Sequence, residues 1–193
     1  MRRPHPGRTP HRPKRSVNHT VSDHLGPLVL VDGAWLIGDP AARGGAHLRL
    51  EEQGIGRWEA GARAELVPWR RFMTVGLTVT PGRWGDSKLL AAVTDQVLAL
   101  SGASRTGGGA ATLSATLRQP YEYWSAEFTH HRRRYPGREC RLLGEFLKQT
   151  VESGAARSLG DRDRVAAVVD RLARLPSAPL RSAASQVRDA LDG

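Results

Sequence analysis

The residues best suited to metal or acid–base chemistry are a glutamate and a histidine three positions apart, Glu127 and His130. On a helix this spacing puts both side chains on one face, as in carboxylate-bridged metal sites, but such sites need a second pair of the same kind on another helix. Apart from His131, the other histidines are His5, His11, His19, His24 and His47. Four of these lie within the first 26 residues, so we predict no metal site.

Nucleophilic chemistry has one candidate, the single cysteine Cys140, which stands among Arg138, Glu139 and Arg141. Neighbouring arginines can lower the pKa of a thiol, but a lone cysteine on a predicted helix is far more often a packing residue. The sequence has no Gly-x-Ser-x-Gly elbow, and its three consecutive glycines, residues 107–109, lack the lysine and hydroxyl residue of a P-loop. We therefore predict no catalytic residue and no cofactor, and we do not expect an enzyme.

The densest positive cluster outside the N-terminal tail lies between residues 130 and 138. It comprises His130, Arg132, Arg133, Arg134 and Arg138, with Tyr135 inside it. Basic residues interleaved with an aromatic ring can hold phosphates and stack bases. The same residues could equally meet an acidic partner protein or form a solvated face. The cluster is the candidate binding surface.

Charge and composition limit the class of protein. The formal net charge is +10, and six of these excess charges lie in residues 1–15, which contain no acid. Residues 1–26 are rich in Pro, Arg and His and are predicted to be disordered because they have little apolar surface to bury. No apolar run approaches the ~20 residues needed to cross a bilayer. One cysteine excludes an intramolecular disulfide and the N-terminus lacks an apolar signal region, so a cytoplasmic location is expected.

The elements that must position these residues begin with strands. An apolar run, residues 28–37, has Asp32-Gly33 at its centre and predicts either a strand-turn-strand or a bulged strand, followed by a loop to Gly45. Alternation between residues 47 and 79, with glycine-containing turns near 51–54 and 59–61, predicts a meander of four short strands. Its last strand should direct Met73, Val75, Leu77 and Val79 into a core. Pro68 should mark an edge, a bulge or a strand end.

Residues 47–80 resemble the first half of bacterial PH-like domains. The resemblance rests on a strand, a turn ending in Gly54-Ile55, a second turn with Gly61, and the step Leu66-Val67-Pro68-Trp69-Arg70-Arg71-Phe72 leading into another strand. It implies a small bent antiparallel sheet closed by a helix, in domains that mostly bind peptides, partner proteins or lipid headgroups. The family has no invariant functional residues to carry over, and the helical segments predicted after Pro81 depart from its simple plan.

A further strand is predicted at residues 111–118. One helix is predicted before it and the others after it. An inserted helix, 86–101, is capped by Asp86. Gln119-Pro120 should open a second helix with an aromatic stripe on one face: Tyr121, Trp124, Phe128, His131 and Tyr135. Three more helices are expected, at 138–153, after a capping Asp161, and around Val187.

These patterns predict an α+β protein with an antiparallel PH-like sheet. Residues 1–26 form the tail, 27–118 the sheet with its inserted helix, and 119–193 a helical region packed on the sheet. The expected function is non-enzymatic binding of a protein or peptide at a sheet edge or in a groove between sheet and helix. The alternative is a nucleic-acid-associated protein that uses the tail and the Arg132–Arg134 patch. Only three of the 29 basic residues are lysine, a bias typical of GC-rich bacterial genomes. The oligomeric state is left open.

Overall fold

The computed structural model describes residues 22–42, 44–79, 111–176 and 182–193, and in these segments the chain is an α+β protein. A six-stranded antiparallel sheet contains β1 (His24–Leu25), β2 (Leu28–Val31), β3 (Ala34–Ile37), β4 (Ala46–Glu51), β5 (Gly54–Glu59) and β6 (Ala62–Pro68), in that order. A three-stranded antiparallel sheet contains β7 (Phe72–Val79), β8 (Ala111–Leu117) and β9 (Glu122–Phe128). Helices α1 (Gly137–Glu152), α2 (Arg162–Arg174) and α3 (Ala183–Asp192) follow.

Residues 28–37 form a strand-turn-strand, the first of the two predicted alternatives, and not a bulged strand. Asp32 and Gly33 both have positive φ, 48° and 77°, which is the requirement of a two-residue type I′ turn between paired strands. Ahead of it, His24 pairs with Val29 and the side chain of Leu25 is fully buried. The prediction that residues up to 26 belong to the tail is therefore wrong at its C-terminal end, because Leu25 has the apolar surface that the rest of the tail lacks. Residues 1–21 lie outside the described segments.

All four strands of the predicted meander are present, but they are divided between the two sheets. Pro68 ends β6, and a 3₁₀ turn, Trp69–Arg71, carries the chain from the first sheet into the second. A register shift in β7 between Phe72 and Thr74 places both Phe72 and Val75 in the core. Leu77 and Val79 pack against the core without being fully buried. The predicted strand at 111–118 is confirmed by β8.

The predicted aromatic helix after Pro120 is wrong, because residues 122–128 form strand β9. Trp124, Ala126 and Phe128 are buried in alternation, whereas Tyr121 and Tyr123 are 77% and 55% exposed. A step of four residues satisfies both the helical period and the period of two, so Trp124 and Phe128 fit either structure. The strand prevails because all seven of its residues pair with β8, and because aromatic residues suit a half-buried sheet. The helical part therefore begins at Gly137.

The structure confirms the three helices predicted after Pro136. Helix α1 buries one face against β7 and α3. Helix α2 is capped by Asp161, whose carboxylate accepts the backbone N–H groups of Asp163 and Arg164, and α3 is capped by Ser182. The predicted helix at 86–101 lies outside the described residues. One apolar core joins both sheets to the helices, and none of the helices the structure describes has the length and apolarity needed to span a membrane.

Candidate functional site

The predicted basic cluster lies mostly in the loop between β9 and α1, not on a helix as expected. Within that loop Arg133 donates from Nη2 to the carbonyl oxygen of Gly26 at 2.7 Å, and its guanidinium lies 5.5 Å from the centre of the Tyr135 ring. Arg133 therefore fixes the loop to the β1–β2 turn. These contacts hold the side chain of Arg133 against the protein, although the residue is exposed and its other N–H donors stay open within the described part of the chain.

The histidines of this loop pack against the same tyrosine. The rings of His130 and Tyr135 are stacked at 5.7 Å, and the Tyr135 hydroxyl accepts the His131 backbone N–H at 2.7 Å and lies 2.6 Å from His131 Nδ1. Burial first, and then Arg133, lowers the pKa of His131. Burial also raises the pKa of the Tyr135 phenol. His130, His131, Arg133 and Tyr135 thus form one half-buried cluster of side chains.

The other members of the cluster point elsewhere. Arg138 donates to Gln186 Oε1 at 3.0 Å and so joins α1 to α3, while Arg132 and Arg134 are exposed. The structure therefore brings His130 and Arg133 together at Tyr135, but it does not gather all five predicted residues into one surface.

The candidates for catalysis or metal binding are also separated. Cys140 is half-buried, and burial, reinforced by Glu139, raises its pKa to about 11, which leaves it a poor nucleophile at neutral pH. Glu127 is exposed on β9, while His130 is stacked on Tyr135. Across 22–42, 44–79, 111–176 and 182–193, no group of three His, Cys, Asp or Glu side chains is arranged to hold a metal ion.

A groove of about 400 Å³ opens where the outer face of β4 and β5 meets the β2–β3 turn and the beginning of α2. We call it the Trp58 groove. Its charged lining residues are Arg49, Glu51, Glu52, Arg63 and Arg162, and two tryptophans, Trp35 and Trp58, contribute aromatic surface. The groove thus combines cations, carboxylates and indole rings in one concavity between the sheet and a helix.

Strand alternation explains why Trp58 lies on this face. Leu48 and Leu50 point into the core, so His47, Arg49 and Glu51 point outward. In the β4–β5 register His47 is opposite Trp58 and Arg49 is opposite Gly56. The His47 and Trp58 rings are stacked at 6.2 Å, and burial followed by Arg49 lowers the pKa of His47. The tryptophan therefore rests on a neutral imidazole.

The glycine at position 56 makes room for this arrangement. A Cβ there would overlap the Glu51 carboxylate and stand 3.0 Å from Trp58 Nε1. Without it, Trp58 Nε1 donates to Glu51 Oε1 at 3.0 Å, and Arg63 Nη1 donates to Glu51 Oε2 at 2.9 Å. Both oxygens of Glu51 are thereby engaged. Arg49 lies 5.7 Å from the centre of the Trp58 ring, within the range of a cation–π contact.

Buried tryptophans hold the walls of the groove. Trp69 Nε1 donates to the Glu51 carbonyl oxygen at 2.8 Å, and Trp35 Nε1 donates to the Arg162 carbonyl oxygen at 3.0 Å. A Cβ at Gly160 would lie 2.5 Å from the Glu51 carbonyl oxygen, so the corner before α2 approaches the β4–β5 turn backbone to backbone. The groove is formed by the fold itself and needs no ligand to assemble it.

Sequence reasoning missed this site. The alternation that directs Leu48 and Leu50 inward also directs Arg49 outward, so the outward position of Arg49 could have been predicted from the sequence. The contribution of Arg162, more than 100 positions further along the chain, carried no local signal.

Comparison of the chain with protein-family models, with curated proteins and with solved structures gives no match. The fold and the site therefore define only a class: an α+β protein with two antiparallel sheets and a preformed, charged groove floored by tryptophan.

Proposed function

We propose that this protein is a non-enzymatic binding module that takes a short segment of a partner protein or a peptide in the Trp58 groove. The observation that carries the proposal is the way the groove holds Trp58: its ring stacks on His47 and its Nε1 donates to Glu51. Preorganisation of this kind lowers the entropic cost of binding. A tryptophan and an arginine are also the residue types that most often dominate binding energy at interfaces.

The size and chemistry of the groove support binding over catalysis. Its volume of about 400 Å³ falls at the lower end of the range for ligand pockets, which suits a few side chains better than a folded domain. Among the residues that the structure describes, the lining includes no Ser, Thr, Cys, His, Tyr or Lys. The carboxylate of Glu51 has both oxygens occupied by neighbours, so it is poorly placed to move a proton.

The resemblance of residues 47–80 to PH-like domains implies the same class of function and remains a prediction, as does a cytoplasmic location. Nucleic-acid binding through the tail and the Arg132–Arg134 patch is the alternative. Arg132 and Arg134 are exposed in its favour, while contacts with Gly26 and Tyr135 hold Arg133 against the protein. The edge of β6, which pairs only with β5 among the strands described, is a second place for a peptide to add.

A random-peptide display library selected on the immobilised full-length protein tests the proposal. We expect enriched peptides whose binding is lost in Trp58→Ala and kept in Tyr121→Ala, a control that removes an exposed aromatic ring outside the groove. Thermal melts of both variants check folding. The proposal fails if no peptide is enriched, or if the enriched peptides bind Trp58→Ala as well as they bind the parent protein.

A further inference from the structure

The charges that line the Trp58 groove are unevenly used. Three arginines and two glutamates line it, and both carboxylate oxygens of Glu51 already accept hydrogen bonds from Trp58 and Arg63. Arg162 donates a hydrogen bond from Nε to Asp163, a residue that does not line the groove. Arg49 has no ion pair with any residue in the described part of the chain, and its guanidinium lies over the ring of Trp58. The groove therefore presents a guanidinium that is held in place but not neutralised.

A held, unpaired arginine favours a carboxylate. The guanidinium is planar and directs its N–H groups outward in a fork that matches two carboxylate oxygens. Contact of Arg49 with Trp58 leaves those N–H groups for a ligand, because a cation–π contact uses the face of the ring and not the hydrogen-bond donors. The contact with the Trp58 ring also restricts the long side chain of Arg49 and so lowers the entropic cost of binding a ligand.

The glutamates of the groove decide which anion suits it. Glu51 and Glu52 both line it, so a phosphate with nearly two negative charges meets more repulsion there than a carboxylate with one. The same carboxylates disfavour a nucleic-acid backbone. The indole of Trp58 offers apolar surface beside the cation, which suits a segment with an apolar residue next to its acid.

We propose that the Trp58 groove recognises an acidic peptide segment, in which an aspartate or glutamate carboxylate pairs with Arg49 and a neighbouring apolar side chain rests on Trp58. This inference rests on the proposed function, since it names the kind of peptide that the same groove takes. It also assigns Arg49 as the residue that determines specificity.

Fluorescence anisotropy with three labelled synthetic peptides tests the inference on the full-length protein. The probes alternate leucine with aspartate, asparagine or phosphoserine. We expect the aspartate peptide to bind about 10- to 100-fold more tightly than the asparagine peptide, the range for a charge-assisted hydrogen bond, and to weaken as salt is added. Equal binding of these two peptides, or tighter binding of the phosphoserine peptide or of a single-stranded DNA oligonucleotide, overturns the inference.

Variants locate the preference at one residue. Arg49→Gln should bring the aspartate-to-asparagine ratio close to one, whereas Arg141→Gln removes the same charge from an exposed position outside the groove and should leave the ratio unchanged. Glu52→Gln should tighten binding of the aspartate peptide about two- to fivefold by removing a repelling charge. A gain cannot arise from misfolding, so the absence of this gain counts against the inference even if Arg49→Gln is poorly folded.

The two proposals fail in different ways. If display selection yields peptides that depend on Trp58 but show no acidic preference, the groove binds peptides and the inference about their charge is wrong. If display selection yields nothing, the proposed function itself is wrong.

Discussion

Removing the side chain of Trp124 tests both the strand assignment of β9 and the energetics of the core. Trp124 is 8% exposed, its ring meets Phe72 edge to face at 6.1 Å, and its Nε1 donates to Glu65 Oε2 at 3.0 Å. Large aromatic deletions in cores cost ~3–5 kcal/mol. For a chain of this size each kcal/mol lowers Tm by roughly 2–4 °C, so Trp124→Ala should lower it by roughly 6–20 °C.

Trp124→Phe divides this cost into its parts. It keeps most of the apolar surface and removes the N–H donor to Glu65, so a loss of about 1–3 kcal/mol is expected from the unpaired carboxylate. Urea unfolding curves of the three proteins, fitted with a common slope, give the two differences in free energy of unfolding directly.

Tyr121→Ala supplies the result that would refute the reasoning. On a helix Tyr121 would share a face with Trp124 and its loss would be costly, whereas the strand leaves Tyr121 77% exposed. The expected change for Tyr121→Ala is within ~0.5 kcal/mol. A loss for Tyr121→Ala comparable to that of Trp124→Ala would restore the helix and contradict β9.

Three further results are expected. The pKa of His131 is lowered from 6.5 in the folded state, so below about pH 6.5 the unfolded chain binds more protons than the folded one. The free energy of unfolding should therefore fall as the pH drops through this range. His131→Gln should make that fall smaller, as measured by urea titrations. The pKa of Cys140, raised to about 11, should make its alkylation by iodoacetamide at pH 8 much slower in the native protein than in urea, as followed by mass spectrometry. Gly54→Ala should be strongly destabilising because the new Cβ would overlap the backbone carbonyl of Val67. At Gly144 a Cβ would meet only Leu77, at 3.8 Å, so Gly144→Ala should stabilise helix α1 by up to about 1 kcal/mol in thermal melts.

Local patterns predicted those parts of the fold that are determined locally. The hairpin at Asp32-Gly33 follows from the need for two residues with positive φ, and the start of α2 follows from the side chain of Asp161. The aromatic segment was different, because Trp124 and Phe128 are spaced four apart and fit both periods. Ala126, buried between them, was the residue that separated the strand from the helix, and its small side chain gave it little weight in the pattern.

The candidate site could not be predicted from the sequence. The number of charged residues in a stretch of chain does not show which of them are left without an ion pair or another contact in the folded protein. The run from Arg132 to Arg134 is the most basic part of the body of the protein, yet its central residue is held against Gly26 and Tyr135, and Arg138 joins two helices. Arg49 stands alone in the sequence between two leucines. Strand alternation puts it outward onto Trp58, where no acidic side chain of the described segments pairs with it.

An arginine becomes a binding residue when the fold holds it in place and leaves its hydrogen-bond donors unused. Both conditions depend on distant parts of the chain. Glu51 fixes Trp58, the ring that Arg49 lies over, while the carbonyl of Arg162 and the glycine at 160 close the groove around them. Since these contacts join segments about 100 residues apart, the site exists only once β4, β5 and α2 have packed together, and its specificity is a property of that packing.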